Sequence, residues 1–166
     1  MHGYQTDAKM RVSIQFKSNS TLHDDIMLTF DGERCHADSY FFAIDPAWFP
    51  NLETGETKAQ SALRKLLQIA HQHLSDLGHG QSVYIPYDLS DECSAWLRCT
   101  RDGDSVTVIR GWTNRGCLFP SVAVTMMKGL QEFDPFGVEL RIEREVFLRC
   151  LETSISDLKA SIDGSD

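Results

Sequence analysis

Basic residues are in short supply in this chain. Lysine and arginine number 16 against 24 aspartates and glutamates, which leaves a formal net charge of −8 at pH 7. Nucleic-acid backbones are gripped by cationic faces, so this balance argues against nucleic acid as the main partner. Long apolar runs are also missing. None approaches the roughly 20 residues needed to span a bilayer, so no membrane role is expected. The polar stretch Met1 to Lys9 lacks the apolar core of a signal peptide. Five cysteines are present, Cys35, Cys93, Cys99, Cys117 and Cys150, an odd number at irregular spacing with no Cys-x-x-Cys pair. A disulfide framework and a structural zinc site are therefore unsupported, and reduced thiols in the cytoplasm are expected. The glycine-rich phosphate loops and the G-x-S-x-G nucleophile elbow are absent as well. The sequence thus gives no reason to expect an enzyme, a metal or a cofactor.

What is present is globular in character. The chain has 166 residues, 42% of them hydrophobic and 24% charged. Such a composition suits one domain with its own core, and does not suit a disordered, collagenous or coiled-coil chain. Residues 1–9 are expected as a loose tail, with Met10 a possible internal start. Residues 10–162 read as a single domain and 163–166 as a frayed end.

Period-two alternation marks the strands. Val12, Ile14 and Phe16 form one; Ile26, Leu28 and Phe30 form another. Asp31-Gly32 follows, a type I′ hairpin signal, because both central residues of that turn need positive φ. This turn sets Leu28 against Cys35 and Ile26 against Ala37. Thr57 to Gln60 fits a capping box. Ala59, Ala62, Leu63, Leu66, Leu67, Ala70, Leu74 and Leu77 then recur at helical spacing, with Gly78 as a left-handed stop. A helix over about 57–77 follows. Val83 and Ile85 start another strand, ended near Pro86. Asp102-Gly103 reads as a second hairpin turn, setting Cys99 against Val106 and Leu97 against Val108. On that register Trp96 faces Ile109, on the side away from Leu97, and needs a cover of some kind. Residues 121–133 mix strand and helix formers and are assigned to helix. Asp134 to Gly137 reads as a turn, Val138 to Ile142 as a strand, and about 144–162 as a C-terminal helix. Strands arranged in hairpins predict an α+β fold. The expected architecture is an antiparallel hairpin-built sheet with the long central helix and the C-terminal helix packed on it.

Several clusters invite a chemical reading. His71, His73 and His79 sit around the end of the long helix, but i and i+2 on a helix point about 200° apart. The simpler reading is a solvated helix end, where protonated histidine suits the dipole. Cys35, Cys99 and Cys150 fall on apolar faces and read as small hydrophobes. Cys117 is the least constrained thiol and could act as a nucleophile with His36 or His79 as base. His23-Asp24-Asp25 reads as a solvated loop.

Surface character remains. Asp88, Asp91 and Glu92 form an acidic knot between two strands, and Asp102 and Asp104 form another at a hairpin tip. Glu53 and Glu56 precede the long helix beside Trp48 and Phe49, while Trp96 and Trp112 project from the second hairpin. Aromatic anchors ringed by carboxylates suit a cationic protein partner. The expected partner-binding residues are Asp88, Asp91, Glu92, Trp96, Asp102, Asp104 and Trp48.

Ile85-Pro86-Tyr87-Asp88-Leu89-Ser90-Asp91, then Trp96-Leu97-Arg98-Cys99 and Arg110-Gly111-Trp112, resemble bacterial immunity proteins of polymorphic-toxin systems. The resemblance spans about residues 83–121. It implies a cytoplasmic protein that blocks a cognate toxin domain by direct binding. Two alternatives stay open. One is a small enzyme or ligand-binding domain with a Cys/His site. The other is an assembly subunit that forms a homodimer through the Trp48-Phe49 loop or the Trp96 face.

Overall fold

The computed structural model describes residues 11–163. The expectations for residues 1–9, for Met10 and for residues 164–166 fall outside this range. The class is α+β, with the strands divided between two antiparallel sheets.

The first sheet has the order β1 (Val12–Phe16), β2 (Ile26–Phe30), β3 (Glu33–Ala37). Asp31 and Gly32 adopt φ of 50° and 87°, the two positive values that a type I′ turn demands. The register follows as expected, with Leu28 opposite Cys35 and Ile26 opposite Ala37. The loop from β1 to β2 is more structured than a solvated turn. Asp25 is fully buried and accepts hydrogen bonds from the Ser39 backbone (2.9 Å) and hydroxyl (2.6 Å).

The short helix α1 (Tyr40–Ala43) leads to the long helix α2 (Glu56–Ser75). Ala59, Ala62, Leu63, Leu66, Leu67, Ala70 and Leu74 are buried along one face of α2, as the periodicity requires. Each buried leucine contributes roughly 2 kcal/mol relative to exposure. The ends of α2 differ from expectation. Gly55 is the N-cap and no side chain caps the helix, so the capping box does not form. Glu56 instead binds outward, accepting from the Ser18 hydroxyl and the Asn19 amide and so fixing the β1–β2 loop. At the other end α2 stops at Ser75, two residues short of Leu77. Gly80 has φ +75° and Gly78 has no positive φ; the Gly78 amide donates to the Gln81 side chain at 2.8 Å.

The second sheet has the order β4 (Ser82–Asp88), β5 (Ser94–Asp102), β6 (Ser105–Thr113), β7 (Asp134–Glu143). Pro86 lies inside β4 instead of ending it. A strand that pairs on one side only tolerates a residue without an N–H, and β4 is such an edge strand. The β5–β6 turn falls on Gly103-Asp104, one residue later than expected. Gly103 has φ +60° at the first central position, the place a type II′ turn reserves for glycine. Leu97 therefore faces Arg110, Cys99 faces Val108 and Trp96 faces Gly111. The slip is two residues in partner number, so every side chain keeps its expected face. Helix α3 (Pro120–Met126) occupies the first part of the ambiguous segment. The expected turn at Asp134 to Gly137 is instead the start of β7. A register shift opposite Ile109 and Arg110, with Gly137 at φ +74°, absorbs the irregularity.

Helix α4 (Arg144–Asp163) ties the sheets together. It packs on α2, on β1 of the first sheet, and on β6 and β7 of the second. The Ile14 amide of β1 donates to the buried Ser154 hydroxyl of α4 at 3.1 Å, satisfying a sheet-edge donor from a helix. No helix among the described residues is long and apolar enough to cross a membrane.

Candidate functional site

Residues that pair directly across strands share a face, so β6 presents Val106, Val108, Arg110 and Trp112 on one side. Val106 and Val108 are buried in the core. Arg110 is also buried, where its guanidinium bridges the two sheets. It donates to the Glu33 carboxylate at 2.6 Å and to the Cys35 sulfur at 3.1 Å. It lies over the Phe30 ring at 4.8 Å and over the Phe136 ring at 5.2 Å. Trp112 stacks on the Phe136 ring, with centroids 6.0 Å apart and planes 22° from parallel. The row thus runs Phe30, Arg110, Phe136, Trp112. Its last member passes beyond the covering layer and is 42% exposed.

A groove of about 510 Å³ opens beside Trp112, lined also by Cys93, Thr113, Asn114, Glu132 and Asp134. Asp134 is the ladder partner of Trp112 on β7. The loop after β4 closes in from the other side. Cys117 donates its amide to the Ser90 carbonyl at 2.8 Å, and the Ser94 hydroxyl donates to the Arg115 carbonyl at 3.0 Å. These bonds hold Asp91 and Glu92, both exposed, at the same end of the sheet as Trp112.

The seven residues expected to bind a partner are dispersed by the fold. Asp88, Asp91 and Glu92 lie at the Trp112 end. Asp102 and Asp104 lie at the opposite hairpin tip, a nine-residue strand away, or about 27 Å. Asp102 is moreover paired with Arg141, and that guanidinium holds its carboxyl below the usual range. Asp88 is half-buried, and burial, reinforced by nearby Asp38, pushes its carboxyl up to about 6. Trp48 is half-buried against the core, and the Lys65 amino group already lies 4.4 Å from its ring centre.

Trp96 is 0% exposed and presents no surface to a partner. Its indole N–H donates to the Ser94 hydroxyl at 2.7 Å. The chain itself supplies the cover that this face needs. Phe133, on the segment after α3, lies directly over Gly111, the cross-strand partner of Trp96. Phe133 also packs edge-on against Tyr84 and under the Arg98 guanidinium.

The Cys117 thiol is buried, which pushes it up to about 11, and it donates to the Phe119 carbonyl at 3.6 Å rather than to an imidazole. His79 is occupied elsewhere, accepting the Gly103 amide at 3.0 Å at the far end of the sheet. His71 pairs with Glu152 of α4 at 3.1 Å. His73 is shifted downward, by burial first and then by Lys128. Among the described residues no group of three or more His, Cys, Asp or Glu side chains could hold a metal ion. The Cys99 and Cys150 thiols are buried, which raises both, while Cys35 is only partly covered and accepts from Arg110.

Phe136 and Asp134 escape the sequence analysis because Asp-Pro-Phe-Gly looks like a turn, and Glu132 because it falls in the 121–133 segment assigned to helix. The signal that could have found them is a proline and a glycine at the entry to an alternating strand, a bulged edge. Compared with protein-family models, with curated proteins and with solved structures, the chain matches none.

Proposed function

We propose that the protein is an inhibitory binding protein that neutralises a basic protein partner, such as a cognate toxin domain, by direct contact. The observation that carries this reading is the exposed Trp112, fixed by the stack beneath it and sharing a groove with Glu132 and Asp134, with exposed Asp91 and Glu92 at the same end of the second sheet. A rigid tryptophan loses little entropy on binding and is a frequent interface anchor. Carboxylates around it steer a cationic partner and speed its approach. The net charge of −8 extends the same attraction over the whole molecule. The resemblance of the 83–121 segment to toxin-immunity proteins supports the same function, and most of this end of the sheet belongs to it.

The partner-binding set is accordingly revised to Trp112, Asp91, Glu92, Glu132 and Asp134, with Asp88 behind them. A catalytic Cys117 is less well supported, since a buried neutral thiol is a poor nucleophile. The test is a charge-reversal comparison. Asp91→Lys with Asp134→Lys is expected to slow association with the basic partner at least about tenfold at low salt, with a smaller effect at high salt. Asp104→Lys, at the opposite tip, is expected to change it little. Equal effects from both ends would remove the Trp112 end from the interface.

A further inference from the structure

We propose that the groove beside Trp112 receives one arginine side chain. The identity of the protein that carries this arginine rests on the partner reading above; the chemistry of the groove does not.

The molecule contains its own template for the site. The Arg110 guanidinium lies between two aromatic rings, Phe30 and Phe136, and is neutralised by a single carboxylate, Glu33, at 2.6 Å. Guanidinium suits this setting because it is planar and weakly hydrated, so it can stack and pair at once. The stack continues past Phe136 to Trp112, which lines an open groove of about 510 Å³. There the aromatic surface and the carboxylates recur, with no cationic side chain of the described residues paired to them. Asp134 stands across the ladder from Trp112, about 5 Å away in strand spacing, and Glu132 lines the same groove. Neither carboxylate is hydrogen-bonded or ion-paired among the described residues. Some acids elsewhere are taken up within the chain: Asp31 pairs with Arg11, Asp102 with Arg141, and Glu56 with Ser18. Arg115, three residues along the chain from Trp112, is turned to the neutral Gln131 side chain at 3.1 Å, and Arg110 is taken up by Glu33. An exposed aromatic wall beside two carboxylates with no partner among the described residues is complementary to a planar cation. It suits a lysine less well, since an ammonium neither stacks nor pairs in a bidentate way.

The test uses the full chain, isotope-labelled, titrated with N-acetyl-arginine methylamide. The indole N–H resonance of Trp112 reports the groove. That of Trp96, buried and bonded to Ser94, reports whether the fold is intact. The expected result is a saturable shift of the Trp112 resonance with Trp96 unmoved. Combining Asp134→Asn with Glu132→Gln is expected to weaken it at least about tenfold, two charge-assisted contacts being lost. The citrulline analogue, of the same shape without the charge, is expected to produce no saturable shift. The absence of saturation with arginine, or equal binding of the citrulline or lysine analogue, would overturn the proposal. The two readings fail separately. Arginine binding without any basic partner would sink the inhibitory function alone. Neutralisation that survives Asp134→Asn with Glu132→Gln would sink the arginine groove alone.

Discussion

At the scale of single residues, Gly111 and Asp88 carry the clearest consequences. A Cβ at position 111 would lie 2.2 Å from a Phe133 ring carbon and 2.7 Å from the Asp134 carbonyl oxygen. The ring can tilt, but the β7 backbone is fixed by its ladder. Gly111→Ala is expected to cost about 3 kcal/mol of stability, read as a lower midpoint in urea. An unchanged midpoint would mean that Phe133 does not seal this face. Asp88 bears on stability through pH. Its carboxyl titrates at about 6 in the fold, against an ordinary 3.8, because it is buried and next to Asp38. The folded chain therefore holds the proton more tightly than the unfolded one. This contribution is full below pH 3.8 and is lost as pH rises through about 6. Asp88→Asn is expected to stabilise the protein at neutral pH by about 1 kcal/mol, after allowing for the solvent that reaches the carboxyl, and to bring no gain in acid. Thermal melts at the two pH values decide this. A gain of equal size at both would contradict it.

At the scale of elements, α3 shows how a short helix is held from a distance. Asp45 is fully buried between α1 and α2. It accepts the Ser121 amide and hydroxyl, each at 2.9 Å, at the first turn of α3. It also accepts the Ala47 amide at 2.8 Å. Asp45→Ala is expected to cost about 2 kcal/mol, because a cap is lost and buried donors are left unpaired. Faster amide exchange across residues 121–126, with α2 unaffected, is the signature to measure; unchanged exchange would show that α3 is held by packing alone. Such remote partners were not legible in the sequence. Local features were. The Asp31-Gly32 hairpin, the apolar stripe of α2 and the C-terminal helix all follow from neighbours a few residues apart. The second hairpin turns one residue later than Asp102-Gly103 predicts, because Asp-Gly favours type I′ whereas Gly103 takes the type II′ position. The tryptophans show the deeper limit. Alternation places Trp96 and Trp112 on opposite faces, but it does not say where each cover ends. Phe133 arrives from a distant segment to cover Gly111, the cross-strand partner of Trp96, whereas Trp112 on the other face is left 42% exposed.

At the scale of the whole molecule, the two sheets and α4 leave one end of the second sheet with an exposed aromatic stack and unpaired acids. The interface proposed there is sensitive to mild acid. As pH falls through about 6, Asp88 loses its charge at that end. Association with a basic partner is expected to slow on acidification across that value, and Asp88→Asn is expected to flatten the dependence. An unchanged pH profile in the variant would take Asp88 out of the steering field. The most direct measurement is neutralisation itself. The protein encoded beside this chain in its genome would be co-expressed with the wild type, with Trp112→Ser carrying Asp134→Lys, and with Asp102→Lys carrying Asp104→Lys. The expected result is a basic neighbour that is toxic alone, forms a stoichiometric complex and is silenced by the wild type and by the hairpin-tip variant. The Trp112 variant is expected to leave it active while remaining folded. A neighbour silenced equally by all three, or one that forms no complex with the wild type, would contradict an inhibitory surface at the Trp112 end.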